Sequence, residues 1–166
     1  DALLPIDPNS MADDTELALK MRRQGGRVLF DPAVQYMEAS HSAFVKRRKQ
    51  KDRRAMGLIR LLVQHSDAIG QHGRYGTVVL PFNWWFMIIS PWLLAGTFSL
   101  ATLAGFAYGG PSGLIVPGVV AGFITLGSRD LLGPLQAAYS LLDTQVSLLF
   151  ASVKLLRGKG SATWEV

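Results

Sequence analysis

Three carboxylates, Asp13, Asp14 and Glu16, stand within four residues in the stretch ADDTEL, residues 12–17. A carboxylate within hydrogen-bond reach of a hydroxyl can act as a general base and activate that hydroxyl for attack. The same side chains also have a structural use, because acidic residues cap the open amides of a helix's first turn and suit its dipole. An amphipathic run follows, so the local sequence leaves both roles open.

A second group of candidate residues is basic. Eight of the 17 Lys and Arg residues lie in residues 46–60, namely Lys46, Arg47, Arg48, Lys49, Lys51, Arg53, Arg54 and Arg60. Such a cluster indicates either a nucleic-acid surface or, beside membrane-length apolar segments, a cytoplasmic face that contacts anionic lipid. Residues 84–128 hold no charged residue. We therefore favour membrane lipids as the partner and expect no nucleic acid.

The elements that would position these residues begin with a loop over residues 1–12 and a helix from about residue 14 to residue 24. Its apolar spacing predicts that Leu17, Ala18 and Met21 form the buried face, and Gly25-Gly26 should end it. Residues 27–30 (RVLF) and 33–38 (AVQYME) are predicted strands on either side of an Asp-Pro turn. This order is typical of the edge of an α/β domain.

The second half of the chain is predicted to be helical and largely apolar. A basic helix over residues 42–64 is followed by an uncharged stretch, residues 84–108, long enough to cross a hydrocarbon layer of about 30 Å. A Gly-Gly-Pro turn precedes a shorter apolar run, residues 112–127. Residues 131–156 carry a polar stripe and form either a third membrane span or, as we favour, an interfacial helix; the stripe is Gln136, Ser140, Asp143, Ser147 and Lys154.

Composition excludes several classes. The 166 residues include no cysteine, so disulfides and thiolate metal sites are impossible. The three histidines lack the spacing of a metal-binding pair, and we expect no metal site in this chain. The chain opens on Asp1 and shows no signal-peptide pattern, so we expect it to be a fragment of a longer protein.

The order of ADDTEL, GGRVLFDP, the basic helix and the apolar hairpin resembles the C-terminal half of a membrane-anchored family 2 glycosyltransferase. These inverting enzymes of the GT-A type include polyprenyl-phosphate sugar transferases and the cellulose, chitin and hyaluronan synthases. Their acidic pair corresponds to Asp13-Asp14, with Asp13 in place of the usual Glu. Their Gln-x-x-Arg-Trp motif corresponds to Gln50, Arg53 and Arg54, with Arg in place of Trp.

The resemblance implies a role for each of these residues. Asp14 would be the catalytic base, while Asp13, Gln50, Arg53 and Arg54 would bind the acceptor or the donor diphosphate. The same sequence would also be found if Arg53 and Arg54 faced solvent and bound no ligand. The substrates would be a nucleotide-sugar donor and a lipid-phosphate or glycan acceptor. Mg2+ or Mn2+ would be held by an Asp-x-Asp motif that does not occur here, so we expect the metal ligands in a missing N-terminal half or a partner chain.

The expected fold is therefore the α/β C-terminal part of a GT-A (Rossmann-like) domain, followed by a transmembrane hairpin and an amphipathic or third membrane helix. The expected boundaries are residues 1–66 for the cytoplasmic catalytic part, 67–83 for a linker, 84–128 for the hairpin and 129–166 for the last helix and tail. Two other functions remain: a non-catalytic membrane-anchored scaffold or partner subunit whose carboxylates only cap a helix, and, less well supported, a transporter subunit built around Asp143.

Overall fold

The computed structural model describes residues 13–29, 31–35, 44–71 and 73–158, and these are mainly helical. Six α-helices follow one another: α1 (Asp13–Arg23), α2 (Phe44–Gln64), α3 (Leu80–Trp84), α4 (Ser90–Gly109), α5 (Ile115–Ser128) and α6 (Gln136–Leu156). Shorter 3-10 turns cover Ser66–Ala68, Gly110–Leu114 and Gly133–Leu135, and π-helical turns cover Tyr75–Val79 and Trp85–Ile89.

The expected α/β domain is wrong for the described residues, which contain no strand. Residues 26–29 have no regular structure, and Leu29 there is 83% exposed. Asp31 starts a tight turn, accepting hydrogen bonds from the amides of Ala33 (through Oδ1, 2.9 Å) and Val34 (through its carbonyl, 3.2 Å). A strand needs a hydrogen-bonded neighbour, and a single hairpin is marginal at best. The β-prone residues here find no such neighbour; residues 30 and 36–38 lie outside the described residues.

The ends of α1 and the extent of α2 agree with the sequence-based prediction. Gly25 has a φ of +78°, and the amides of Gly25 and Gly26 donate to the carbonyls of Arg22 (3.0 Å) and Met21 (2.9 Å). This is a Schellman ending, which glycine favours because it accepts the left-handed conformation without steric cost. Helix α2 places Ala55, Ile59 and Leu62 on one buried face.

The chain divides into two compact units, and helix α6 runs through both of them. The first unit holds the described residues up to Trp85 and those from Phe150 onward, and the second holds residues 86–149. In the first unit, α2 contacts α3, and the apolar core includes Leu19, Ile59, Leu61, Leu62, Ala68, Leu80 and Ala151.

The second unit contains a helical hairpin made by α4 and α5. The predicted Gly-Gly-Pro turn is present, with Gly110 at a φ of +56°. The connecting turn Gly110–Leu114 packs against α4 at glycines, since a Cβ on Gly105 would lie 2.9 Å from the Cα of Gly113. At about 1.5 Å per residue, α4 is about 30 Å long and α5 about 21 Å.

Among the described residues, one helical stretch, Tyr75–Ser128, has the length and the apolar composition to cross a membrane. Only 6% of the most apolar 18-residue window is buried, so the stretch is unlike the core helix of a water-soluble protein. Leu100, Leu103 and Val119 are 64–69% exposed. An apolar surface of this kind marks a site of contact with lipid or with another protein.

Three hydroxyl groups within α4 form hydrogen bonds inside the helix. Thr97, Ser99 and Thr102 each donate a hydrogen bond of 2.8 Å to the carbonyl four residues earlier. The helix therefore presents these three residues without leaving a hydroxyl hydrogen unpaired.

The corner between α5 and α6 is closely packed. Asp130 has a φ of +56°, the one positive φ at a described residue other than glycine, and the amide of Leu131 donates to the carbonyl of Leu126 at 3.0 Å. Gln136 Nε2 donates to the carbonyl of Gly127 (2.8 Å) and to Asp130 Oδ1 (2.9 Å). Gln136, predicted as part of a polar stripe, thus caps the end of α5.

Candidate functional site

The carboxylate pair opens helix α1. Asp13 is its first residue and Asp14 its second, and the Asp14 side chain is exposed; the side chain of Asp13 lies outside the described residues. Asp14 Oδ1 accepts hydrogen bonds from the amide of Thr15 (2.7 Å) and from its hydroxyl (3.3 Å). Within the described residues, Oδ2 accepts none. Asp14 therefore has one oxygen fixed by its neighbour and a second oxygen accessible to a hydroxyl group.

The third acidic residue of the stretch has a different environment. Glu16 is 6% exposed, and its carboxylate forms an ion pair of 2.7 Å with Lys20. The two residues are four apart, which places them on the same side of the helix. Leu19 is 2% exposed. The predicted buried face of α1 is thus wrong in part, because Leu17, Ala18 and Met21 are only half-buried while Glu16 and Leu19 are buried.

The predicted ligands on α2 lie in its basic half. Gln50 and Arg53 are half-buried and Arg54 is exposed, and the spacing from Gln50 puts all three near one side of the helix. Asp52 Oδ2 lies 3.6 Å from Lys154 Nζ, so the end of α6 approaches this part of α2. Within the described residues, no hydrogen bond or ion pair joins Asp14 to Gln50, Arg53 or Arg54. The two halves of the predicted site therefore lie on different helices, the carboxylate pair on α1 and the other three residues on α2.

The C-terminal end of α1 is held by a polar cluster that the sequence did not indicate. Its members are Arg22, Arg23, His65, Asp67 and Tyr75. Arg23 Nη2 donates to Asp67 Oδ1 at 2.6 Å, and the guanidinium carbon of Arg22 lies 4.4 Å from the centroid of the Tyr75 ring. The i, i+4 spacing of the Glu16–Lys20 pair is visible in the sequence, whereas neither contact of this cluster has a local sequence signal. Arg23 and Asp67 are 44 residues apart, and no local pattern reveals such a contact.

The cluster changes the protonation of two of its members. The pKa of His65 lies below its ordinary value of 6.5, chiefly because burial disfavours the charged imidazolium and then because Arg23 repels it. The hydrogen bond from Arg23 is the main reason that the pKa of Asp67 lies below its ordinary value of 3.8. Both effects favour an uncharged His65 beside an ionised Asp67.

The described residues do not fit a metal site. No three His, Asp or Glu side chains among them are grouped closely enough to hold a metal ion. The Mg2+ or Mn2+ that the family resemblance implies would need ligands from outside the described residues.

Comparison with known families gives the class of protein. Residues 1–150 match the family model described as Glycosyl transferase family group 2. The chain therefore belongs to this glycosyltransferase family, which confirms the resemblance at the level of the family. No curated protein and no solved structure shows a significant match.

Proposed function

We propose that this chain forms the acceptor side and the membrane anchor of an inverting glycosyltransferase, which moves a sugar from a nucleotide-sugar to a lipid-linked or polysaccharide acceptor. The observation that carries the proposal is the exposed Asp14 carboxylate at the start of α1, in a chain whose residues 1–150 match a glycosyltransferase family. Thr15 fixes one carboxylate oxygen and leaves the other accessible.

The proposed reaction is a single displacement at the anomeric carbon. The acceptor oxygen forms the new bond, the bond to the nucleoside diphosphate breaks with its electron pair on the diphosphate, and Asp14 takes the hydroxyl proton. Arg53 and Arg54 would offset the charge of the leaving diphosphate, and Gln50 and Asp13 would orient the acceptor. When the acceptor is a lipid phosphate, already anionic, Asp14 contributes less.

The apolar hairpin would hold this site at a membrane surface. Its exposed leucine and valine side chains suit contact with lipid tails, and the basic half of α2 suits anionic head groups. The soluble part would then lie on the cytoplasmic side, and the site would have access to a lipid-linked acceptor. The divalent metal and the nucleotide-binding half belong to the same proposal as components contributed by the rest of the enzyme.

The substitution Asp14→Asn in the complete enzyme tests the base directly. Asparagine keeps a side-chain oxygen that can accept a hydrogen bond from the Thr15 amide, so this change removes the base while preserving that contact. We expect turnover with a hydroxyl acceptor to fall by roughly 100-fold to 10,000-fold, with nucleotide-sugar binding unchanged. Asp130→Asn is the matched control, because it removes the same charge from a residue at the corner between α5 and α6.

The second candidate function is a non-catalytic membrane scaffold, and the hydrogen bond from the Thr15 amide to Asp14 favours it. In a scaffold the carboxylate only stabilises the first turn of α1. Wild-type turnover in the Asp14→Asn enzyme would contradict the base assignment and leave Asp14 only this structural role, whereas a complete enzyme that transfers no sugar at all would support the second function. Asp14→Ala, which removes the cap as well, would then lower helix stability alone.

A further inference from the structure

Helix α1 is fastened at its C-terminal end to the segment that leads into the apolar helix. Two adjacent side chains of its last turn make the contacts, Arg23 with Asp67 and Arg22 with the ring of Tyr75. Tyr75 is also the first residue of the membrane-length stretch Tyr75–Ser128. The helix that carries the carboxylate pair is therefore in direct contact with the start of the proposed membrane anchor.

The two partners of α1 are themselves held in a fixed relation to each other. The amide of Gly70 donates to the carbonyl of Gly76 at 2.8 Å. A Cβ on Gly76 would overlap the carbonyl oxygen of Gln71 and lie 2.7 Å from that of Ala68. The turn that holds Asp67 and the turn that holds Tyr75 are thus packed backbone against backbone, and they present one surface to α1.

Helix α1 is short and is held along its length as well as at its end. Leu19 is buried in the middle of the helix, and the ion pair of Glu16 with Lys20 bridges its first and second turns. A movement of its last turn is therefore transmitted to its first turn. Asp14 lies eight residues before Arg22, about 12 Å along the axis at 1.5 Å per residue.

We propose that Arg22 and Tyr75 act as positioning residues. Their contact holds α1, and with it Asp14, in a fixed position relative to the segment that enters the membrane. The contact of the cation with the aromatic face carries this role. The consequence for catalysis rests on the proposed function, in which Asp14 is the base. The contact and its effect on α1 can be measured without any transfer reaction.

The test is a distance measurement by dipolar electron paramagnetic resonance on the full chain in lipid nanodiscs. The chain has no cysteine, so nitroxide labels attached to Ala18→Cys and Val78→Cys are the only labels present. We expect a narrow distance distribution in the parent protein and a distribution at least about twice as wide with Tyr75→Leu. Tyr75→Phe keeps the aromatic face and should match the parent.

A second pair of variants keeps the test valid even if Tyr75→Leu disturbs the fold. Arg22→Ala removes the cation from a half-buried residue and should broaden the distribution as Tyr75→Leu does. Arg27→Ala removes the same charge from an exposed residue and should leave the distribution unchanged. An unchanged distribution in Arg22→Ala would overturn the proposal, whatever happens with Tyr75→Leu.

Kinetics of the complete enzyme separate this proposal from the proposed function. A base displaced by about 1 Å can cost roughly 100-fold in rate, so Arg22→Ala should lower kcat by tenfold or more while the KM for the nucleotide-sugar changes less than about twofold. Broadening by Arg22→Ala, in a complete enzyme whose parent form shows no transfer, would support the positioning contact and refute the proposed function. Loss of kcat without broadening would overturn the positioning role and leave the proposed function standing.

Discussion

Gly127 offers a sharp test of the corner between α5 and α6, because the ring of Tyr139 occupies the space that a side chain at residue 127 would need. A Cβ at this position would overlap Cγ and Cδ2 of that ring and would lie 2.8 Å from Cε2. The ring also makes an edge-on contact with Phe123, with centroids 6.4 Å apart. Gly127→Ala therefore forces the ring of Tyr139 away from both neighbours.

The magnitude follows from three terms. Overpacking costs about 1–3 kcal/mol, and loss of the aromatic pair costs about 0.5–1.5 kcal/mol. The better helix propensity of alanine offsets about 1 kcal/mol of this. The net loss of unfolding free energy is therefore about 0.5–3.5 kcal/mol, which at about 2–4 °C per kcal/mol lowers the Tm by roughly 1–14 °C.

The assay is thermal unfolding of the purified protein in detergent, with Gly122→Ala as the matched control. Gly122 lies on the same helix, and a Cβ there meets no atom within 4 Å; its replacement should leave the Tm unchanged or raise it. In a Tyr139→Ala background the penalty of Gly127→Ala should disappear. Equal Tm values for the two alanine variants, or an undiminished penalty without Tyr139, would refute this account of the corner.

Two further outcomes are expected. Gln136→Ala removes the hydrogen bonds to the Gly127 carbonyl and to Asp130. At about 0.5–1.5 kcal/mol for each bond, the unfolding free energy should fall by about 1–3 kcal/mol, as measured by denaturant titration. Wild-type stability would contradict the capping role. The pKa of His65 is lower in the folded protein than in the unfolded chain, so between that lowered pKa and about 6.5 the unfolded chain binds more protons. Stability should therefore fall as the pH drops below about 6.5, and His65→Gln should flatten this part of the Tm profile. The contribution of Asp67 is lost only at more acidic pH, as the pH falls through its lowered pKa. A profile that His65→Gln leaves unchanged would assign the dependence to another group.

The parts of the fold that follow from local signals were predictable. Gly25 ends α1 because its left-handed φ is cheap for glycine alone, and the Gly-Gly-Pro sequence turns the hairpin for the same kind of reason. The strand prediction was wrong because a strand needs a hydrogen-bonded neighbour, and a short stretch of sequence does not reveal whether one is present. Val34, 72% exposed, shows what happens to a β-prone residue that finds none.

The candidate site divides in the same way. The position of Asp14 at the start of a helix follows from its neighbours in sequence, whereas its role as a base depends on a substrate and stays a prediction. The burial of Glu16 was missed because apolar spacing alone was used to choose the buried face. An ion pair with Lys20 lets a carboxylate lie in that face, since the pair offsets part of the cost of removing charge from water.

The internally bonded hydroxyls of α4 affect which substitutions this helix can accept during evolution. A count of polar residues treats Thr97, Ser99 and Thr102 as obstacles to residence in lipid. Because each hydroxyl donates to a carbonyl of its own helix, exchange with alanine or valine removes none of these hydrogen bonds from another element. These three positions are therefore free to drift between hydroxylated and aliphatic residues, and a comparison of hydropathy alone would mistake that drift for the gain or loss of a membrane segment.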